Sequence, residues 1–211
     1  MIILLTIFVS SFVIALSGAM MPGTLLTVTI SESSRRGVIA GPLLILGHGI
    51  LELALLIALL LGLAPFFEQK WFFVLVSLVG GSILLWMASG MFRALPSLKI
   101  AWNTQQADSG NLVFTGILMS LANPYWIIWW ATIGIKYILD SKQFGLWGLF
   151  FFFTGHILAD FAWYTIVSVA VGKGRTFFSD RIYKGIIGTC AAVLGIFACF
   201  FIYKAIFEIA A

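Results

Sequence analysis

Six stretches of this chain run without a formal charge, or with only one, for long enough to cross a hydrocarbon core. They are Met1 to Ser31, Gly37 to Phe67, Trp71 to Phe92, Ser109 to Ile135, Gln143 to Gly172 and Gly185 to Tyr203. A helix of about 20 apolar residues spans a bilayer, so each stretch is long enough to do so. Four carry no charge; the second holds only Glu52 and the fifth only Asp160. With 62% apolar and 9% charged residues there is too little polar surface to cover a soluble globule. The mean hydropathy of +1.10 and the run Phe150 to Phe153 suit helix faces that meet acyl chains. The expected fold is an all-α membrane protein of six transmembrane helices.

The first stretch has no Lys or Arg before Arg35 and is too long for a cleaved signal sequence, so it counts as helix 1. The connections are short, and residues 1–211 are expected to form one transmembrane domain, with a hydrophilic loop at 93–110. Basic residues orient it. Arg35, Arg36, Arg93, Lys99, Lys173, Arg175, Arg181 and Lys184 fall on one side of the alternating loops, against Lys70, Lys136, Lys142 and Lys204 on the other. By the positive-inside rule the first group is cytoplasmic and both termini are outside, in a multi-pass protein of the cell membrane. The net charge of +4 is this topology signal, and no basic domain exists to hold nucleic acid. Cys190 and Cys199 are nine residues apart on one helix, too far for a mutual disulfide, and are expected to pack.

One short signature appears twice: Gly47-His48-Gly49-Ile50-Leu51-Glu52 and Gly155-His156-Ile157-Leu158-Ala159-Asp160. Both read G-H-x-x-x-acid, and they contain the only two histidines of the chain. Pro22-Gly23 precedes the first within helix 1, and Asn123-Pro124 precedes the second within helix 4. Each half, about 1–95 and about 109–211, is therefore a proline-interrupted helix, a His–acid helix and a third helix. Three crossings are an odd number, so the second half enters the membrane from the opposite face. Such inverted repeats are common in secondary transporters, with the site at the bilayer midplane between broken helices.

On a helix, His48 sits one turn from Glu52 and His156 one turn from Asp160, so each pair can hydrogen-bond. Both acids lie near the middle of their spans, where ionisation costs most, so neither should face lipid. If both pairs face the repeat interface, two imidazoles and two carboxyls converge on a cavity suited to proton transfer or cation binding. The alternative is that each pair is only a buried contact between helices. Pro22 and Pro124 cannot donate a backbone hydrogen bond, so helices 1 and 4 should unwind there. Carbonyls freed near Gly18 and Ser120 then need partners, which makes Pro22, Gly23, Asn123 and Pro124 candidate substrate contacts. Tyr125, Trp126, Trp129 and Trp130, with Trp163 and Tyr164 after Asp160, are candidates for an aromatic wall around a cation, or else for a membrane-interface belt. The Lys173-Gly174-Arg175 loop lacks the spacing of a phosphate-binding loop, and no H-E-x-x-H pair or nucleophile–base set is present, so an enzyme is not expected.

In this order the residues resemble the lysine-exporter (LysE, RhtB-like) translocators. The resemblance rests on Met21-Pro22-Gly23-Thr24-Leu25-Leu26, Arg35-Arg36-Gly37 with Gly41, and the acid Glu52. It continues through Leu84-Leu85-Trp86-Met87, Arg93-Ala94-Leu95, and Gly116 with Asn123-Pro124. Many members carry Pro-Gly-Pro followed by Asn or Asp in helix 1, whereas this chain has Pro22-Gly23-Thr24 and then leucine. The two G-H-x-x-x-acid signatures look like those of a subgroup. The resemblance implies a six-helix exporter of amino acids or related solutes, without a cofactor.

The resulting expectation is a secondary exporter of small amino acids or amines, coupled to the proton gradient through His48, Glu52, His156 and Asp160. Two alternatives stand beside it. One is a divalent-metal or other cation exporter, with these same four side chains as ligands. The other is a non-transporting membrane scaffold in which the polar pairs serve only helix packing. The sequence leaves the substrate and any homo-oligomer open.

Overall fold

The computed structural model describes residues 1–21, 23–63, 65, 69–97, 110–174 and 179–210. These are helical almost throughout: α1 (Ile2–Ala19), α2 (Thr24–Arg36), α3 (Ala40–Ala58), α4 (Lys70–Ala94), α5 (Leu112–Leu121), α6 (Pro124–Trp129), α7 (Ile135–Lys142), α8 (Gly145–Lys173) and α9 (Asp180–Ala210). Leu59–Leu63 continues α3 and kinks at Gly62, where φ is 121°, and a π-helical turn at Trp130–Gly134 joins α6 to α7. Among the described residues, five helices are long and apolar enough to cross a membrane, or six when α5 and the segment that follows it, bent by 67°, count as one broken span.

The apolar stretches mark the spans but not their ends. The first is two helices, because α1 stops at Ala19 and α2 runs on past Ser31 through Glu32, Arg35 and Arg36. Glu32 holds Arg36 at 2.7 Å and Arg35 at 3.6 Å, one helical turn away in each case. The last span extends from Asp180 to Ala210, well beyond both charged ends of its apolar stretch. Long charged side chains at helix ends reach the interface while their stems stay on apolar surface, so a charge need not end a helix.

Three helix pairings organise the interior: α1 against α8, α3 against α5, and α4 against α9. The first two are close approaches made by small residues. A Cβ at Gly47 of α3 would overlap the Val113 carbonyl of α5, and one at Gly116 would overlap the Leu44 carbonyl. A Cβ at Gly155 of α8 would overlap the Phe8 carbonyl of α1, and the Ser11 hydroxyl donates to the Phe152 carbonyl at 2.7 Å. Lipid tails give no hydrophobic drive for helices to associate, so close backbone packing and interhelical hydrogen bonds carry it. The third pairing buries Leu84 and Ala88 against Leu194, Ala198 and Phe201, with Ile128 of α6 behind them. Cys190 is buried in the main core and Cys199 is exposed; both thiols are free.

The outside is apolar. Leu61, Trp86 and Leu146 are 83%, 76% and 85% exposed, as expected for side chains that meet lipid. The described helix ends meet at two opposite faces. On one, Arg36 donates to the Gly110 carbonyl at 2.8 Å, Lys184 to the Pro96 carbonyl at 2.7 Å, and Gly172 lies against Gly37 and Val38. Lys70 meets Glu208 at 4.0 Å on the other.

Candidate functional site

Two helix breaks meet at the centre. At the first, the Met21 N–H turns back to the Gly18 carbonyl at 3.1 Å, and Gly23 is extended ahead of α2. Pro22 itself lies outside the described residues. At the second, α5 ends when the Asn123 N–H bonds to the Ser120 carbonyl at 3.0 Å. Pro124 then opens α6 as its first residue, where a missing N–H costs nothing. Asn123 is extended, as a residue before proline prefers, and its side-chain oxygen accepts from the Tyr125 N–H at 3.2 Å.

The breaks touch and complete each other. A Cβ at Gly23 would lie 3.1 Å from the Asn123 amide nitrogen. The Thr24 hydroxyl donates to the Met119 carbonyl at 2.8 Å. The turn at Asn123 takes that carbonyl's usual helical partner away, so one broken helix satisfies an acceptor freed by the other. The carbonyls of Gly18 and Ser120, which the sequence singles out as in need of partners, both receive N–H groups from within their own turns.

Between the breaks lies a cavity of about 50 Å³, lined from α1 by Ala15, Gly18 and Ala19, from α3 by His48 and Glu52, and from α8 by His156, Asp160 and Tyr164. Ser120, Asn123, Tyr125, Trp126 and Trp129 close it from the side of α5 and α6, and Met21 and Leu25 from that of α2. The two signatures therefore meet. His48, Glu52, His156 and Asp160 are all buried, with Glu52 only 1% exposed.

Each His–acid pair forms, and the pairs also cross. His48 Nε2 lies 3.1 Å from Glu52 Oε1, and His156 Nε2 lies 3.5 Å from Asp160 Oδ2. His156 Nε2 is closer still to Glu52 Oε2, at 2.9 Å, and His48 Nε2 is 3.9 Å from Asp160 Oδ2. Glu52 Oε1 also accepts from the indole N–H groups of Trp126 at 3.1 Å and Trp130 at 2.9 Å. An ionised carboxylate only accepts, with about two lone-pair sites on each oxygen, so three donors crowd Oε1 and one meets Oε2. Asp160 Oδ2 has no hydrogen-bond partner among the described residues, and nor does His156 Nδ1.

Ser120 adds a contact that the sequence does not advertise. Its hydroxyl lies 2.7 Å from His48 Nδ1 and 2.7 Å from the Gly116 carbonyl. With a neutral His48 that donates Nε2–H to Glu52, the hydroxyl donates to Nδ1. When both ring nitrogens carry protons, it accepts from Nδ1 and gives its own proton to Gly116. Ser120 thus satisfies either protonation state of His48 without rearrangement. Its position one turn before Pro124 is the only sequence signal that could have found it.

The aromatic candidates divide. Trp126 lines the cavity and Trp130 is wholly buried behind it, both directed edge-on at Glu52. The Trp130 ring occupies the space that Gly134 leaves in the π-helical turn. Trp163 packs against the main core and does not line the cavity. Trp129, Tyr125 and Tyr164, also among the aromatic candidates, line the cavity.

The family model of the LysE type translocators matches residues 16–205, a stretch that contains both breaks and both signatures. The chain belongs to the LysE type translocator family. It is therefore a multi-pass membrane transporter and not an enzyme. This translocator is 31% identical over 142 residues to the threonine efflux protein of Salmonella typhimurium, covering 64% of the chain and 67% of that protein. It is 32% identical over 115 residues to the threonine efflux protein of Escherichia coli K12, covering 52% of the chain and 54% of that protein. The membrane protein YahN of Escherichia coli K12 is 27% identical over 195 residues, covering 88% of the chain and 84% of that protein. No solved structure matches this translocator.

Proposed function

We propose that this translocator exports a small amino acid or a related amine across the cell membrane, driven by proton movement through His48, Glu52, His156 and Asp160. One observation carries the reading: two acids and two imidazoles from separate helices share one buried cavity at two helix breaks. A cluster of ionisable groups at membrane depth marks ion and substrate paths, because burying it has no other return in a lipid environment. The names of the threonine efflux proteins point to a small polar amino acid as cargo.

The roles follow from hydrogen bonding. Glu52, filled by N–H donors from three helices, is the fixed hub that holds both imidazoles. Asp160, held only by ion pairs at 3.5 and 3.9 Å, is the acid that binds the proton and the cationic end of the cargo in turn. His156 hands protons between them, and Ser120 lets His48 change state in place. The breaks at Gly23 and Asn123-Pro124 are where the helices flex between inward-open and outward-open forms.

The architecture that fits is a pair of inverted repeats, about 1–95 and about 109–211, with the G-H-x-x-x-acid signatures marking a subgroup of the family. The close approaches support it. Phe8 and Ser11 meet Gly155 and Phe152, just as Val113 and Gly116 meet Gly47 and Leu44, at the same spacing in both halves. The face that holds Arg36, Pro96 and Lys184 is then cytoplasmic and both termini are outside.

A second reading is export of a divalent cation, since ligand atoms of His48, Glu52 and Asp160 all lie within 4.8 Å of one another. The N–H donors already on Glu52 favour the proton, because a metal would have to displace them. The test is pH-gradient-driven flux in proteoliposomes with labelled amino acids and divalent metals, comparing wild type with Glu52→Gln and Asp160→Asn. Amino-acid flux that collapses in both variants is the expected result. Metal flux instead selects the second reading, and no flux of any solute from folded protein leaves the scaffold alternative.

A further inference from the structure

The segment from α6 into its π-helical turn directs three indoles at the interior, and two of them, Trp126 and Trp130, donate to Glu52. The third does not. Trp129 is 4% exposed, and its Nε1 has no hydrogen-bond partner among the described residues. An indole N–H left unpaired in a buried site is uncommon and calls for an explanation.

Its surroundings supply one. A Cβ on Gly18 would lie 3.1 Å from Trp129 Nε1, so the N–H looks toward the place where α1 carries no side chain. Gly18 and Trp129 line the same cavity. The Trp129 ring is 4.9 Å from the His156 ring, and His156 Nε2 is 3.5 Å from Asp160 Oδ2, an acceptor without a hydrogen-bond partner. Trp163 also has an unpaired N–H, but it stands away from the cavity. Among the described residues the wall thus offers an indole N–H without a partner and, across the His156 ring, a carboxylate oxygen held only by ion pairs at 3.5 and 3.9 Å. Those are the complements of a carboxylate and an ammonium.

We infer that the cavity reads its cargo as an α-amino acid zwitterion, with the Trp129 indole N–H donating to the carboxylate and Asp160 receiving the ammonium. This rests on the amino-acid reading above and adds the residue that tells an acid from an amine. The short four-residue break after Ala19 puts Gly18 where α1 can move aside for the cargo, because the bare glycine leaves the N–H uncovered.

The test compares labelled L-threonine with 1-amino-2-propanol, the same molecule without its carboxylate, in proteoliposomes holding wild type, Trp129→Phe or Gly18→Ala. Phenylalanine keeps an aromatic ring and removes the N–H; alanine at Gly18 covers the N–H and keeps the indole, which has to yield by a few tenths of an ångström. Both variants are expected to raise the half-saturating concentration for threonine about tenfold to a hundredfold, the effect of one lost hydrogen bond to a charged group, and to raise that for the amine by a much smaller factor. Equal losses for both solutes, or an unchanged response to threonine, overturn the assignment of Trp129 while the amino-acid reading stands. A wild type that moves neither solute nor any other amino acid overturns that reading and this inference with it.

Discussion

Glu52 faces two indole N–H groups and both imidazoles within 3.1 Å, whereas Asp160, at the same place in the second signature, has its imidazoles at 3.5 and 3.9 Å. The two signatures are alike in sequence and in depth, so the difference comes from what the neighbouring helices bring. The α6 segment and its π-helical turn aim two tryptophans at α3 and none at Asp160. Four short contacts surround one acid, and longer ion pairs hold the other. Under the proposed function the first is a structural hub and the second exchanges partners.

The sharpest way to break that contrast is to neutralise each acid and read stability as well as flux. Glu52→Gln sets an amide N–H₂ among donors that need an acceptor, and thermal unfolding in detergent is expected to report a loss of about 3–5 kcal/mol. Asp160→Asn removes no short hydrogen bond and should unfold within about 1 kcal/mol of wild type while flux is lost. Equal destabilisation by the two variants would show that the acids are equivalent after all.

Removing one donor at a time tests the hub itself. Trp130→Phe, at the shorter and fully buried contact, is expected to cost about 1.5–3 kcal/mol, with Trp126→Phe at or below the lower end. If the two variants match wild type in the same unfolding assay, Glu52 is not held by indoles. The close approaches should behave symmetrically instead. Gly47→Ala and Gly155→Ala each force a methyl into a facing backbone carbonyl, and each is expected to cost about 1–3 kcal/mol. A loss confined to one half would count against the repeat. The smallest effect belongs to Ser120→Ala, about 0.5–1.5 kcal/mol, read together with the pH profile of flux. That profile should change more than for an alanine elsewhere on α5, because His48 Nδ1 then lacks its partner in both protonation states, and the loss weighs more on the charged one.

Much of the site was legible because its elements are local. The spacing of His48 to Glu52 and of His156 to Asp160 is a property of one helix, and the breaks follow from what proline cannot do. Each charge-free stretch falls on one of the five candidate spans or on the bent pair, but does not mark its ends, because charged side chains continue a helix to the interface, as at Glu32 to Arg36 and Asp180 to Lys184. The crossing contact of His156 with Glu52, the Ser120 hydroxyl at His48 and the Thr24 bond to Met119 were not legible, since each joins residues about 72 to 104 positions apart. The aromatic wall was seen as faces around a cation, but Trp126 and Trp130 present edges, a matter of rotamer and of the π-helical turn.

By itself the sequence determined that this chain lives in lipid, where its helices break and which four ionisable side chains lie at membrane depth, because hydropathy, proline chemistry and helical spacing act within a single segment. The tertiary structure alone decided that the two signatures share one cavity, that Glu52 is filled while Asp160 is open, and that Trp129 keeps an unclaimed N–H. Those outcomes depend on which small residues let which helices approach, and that is settled only when α1 meets α8 and α3 meets α5.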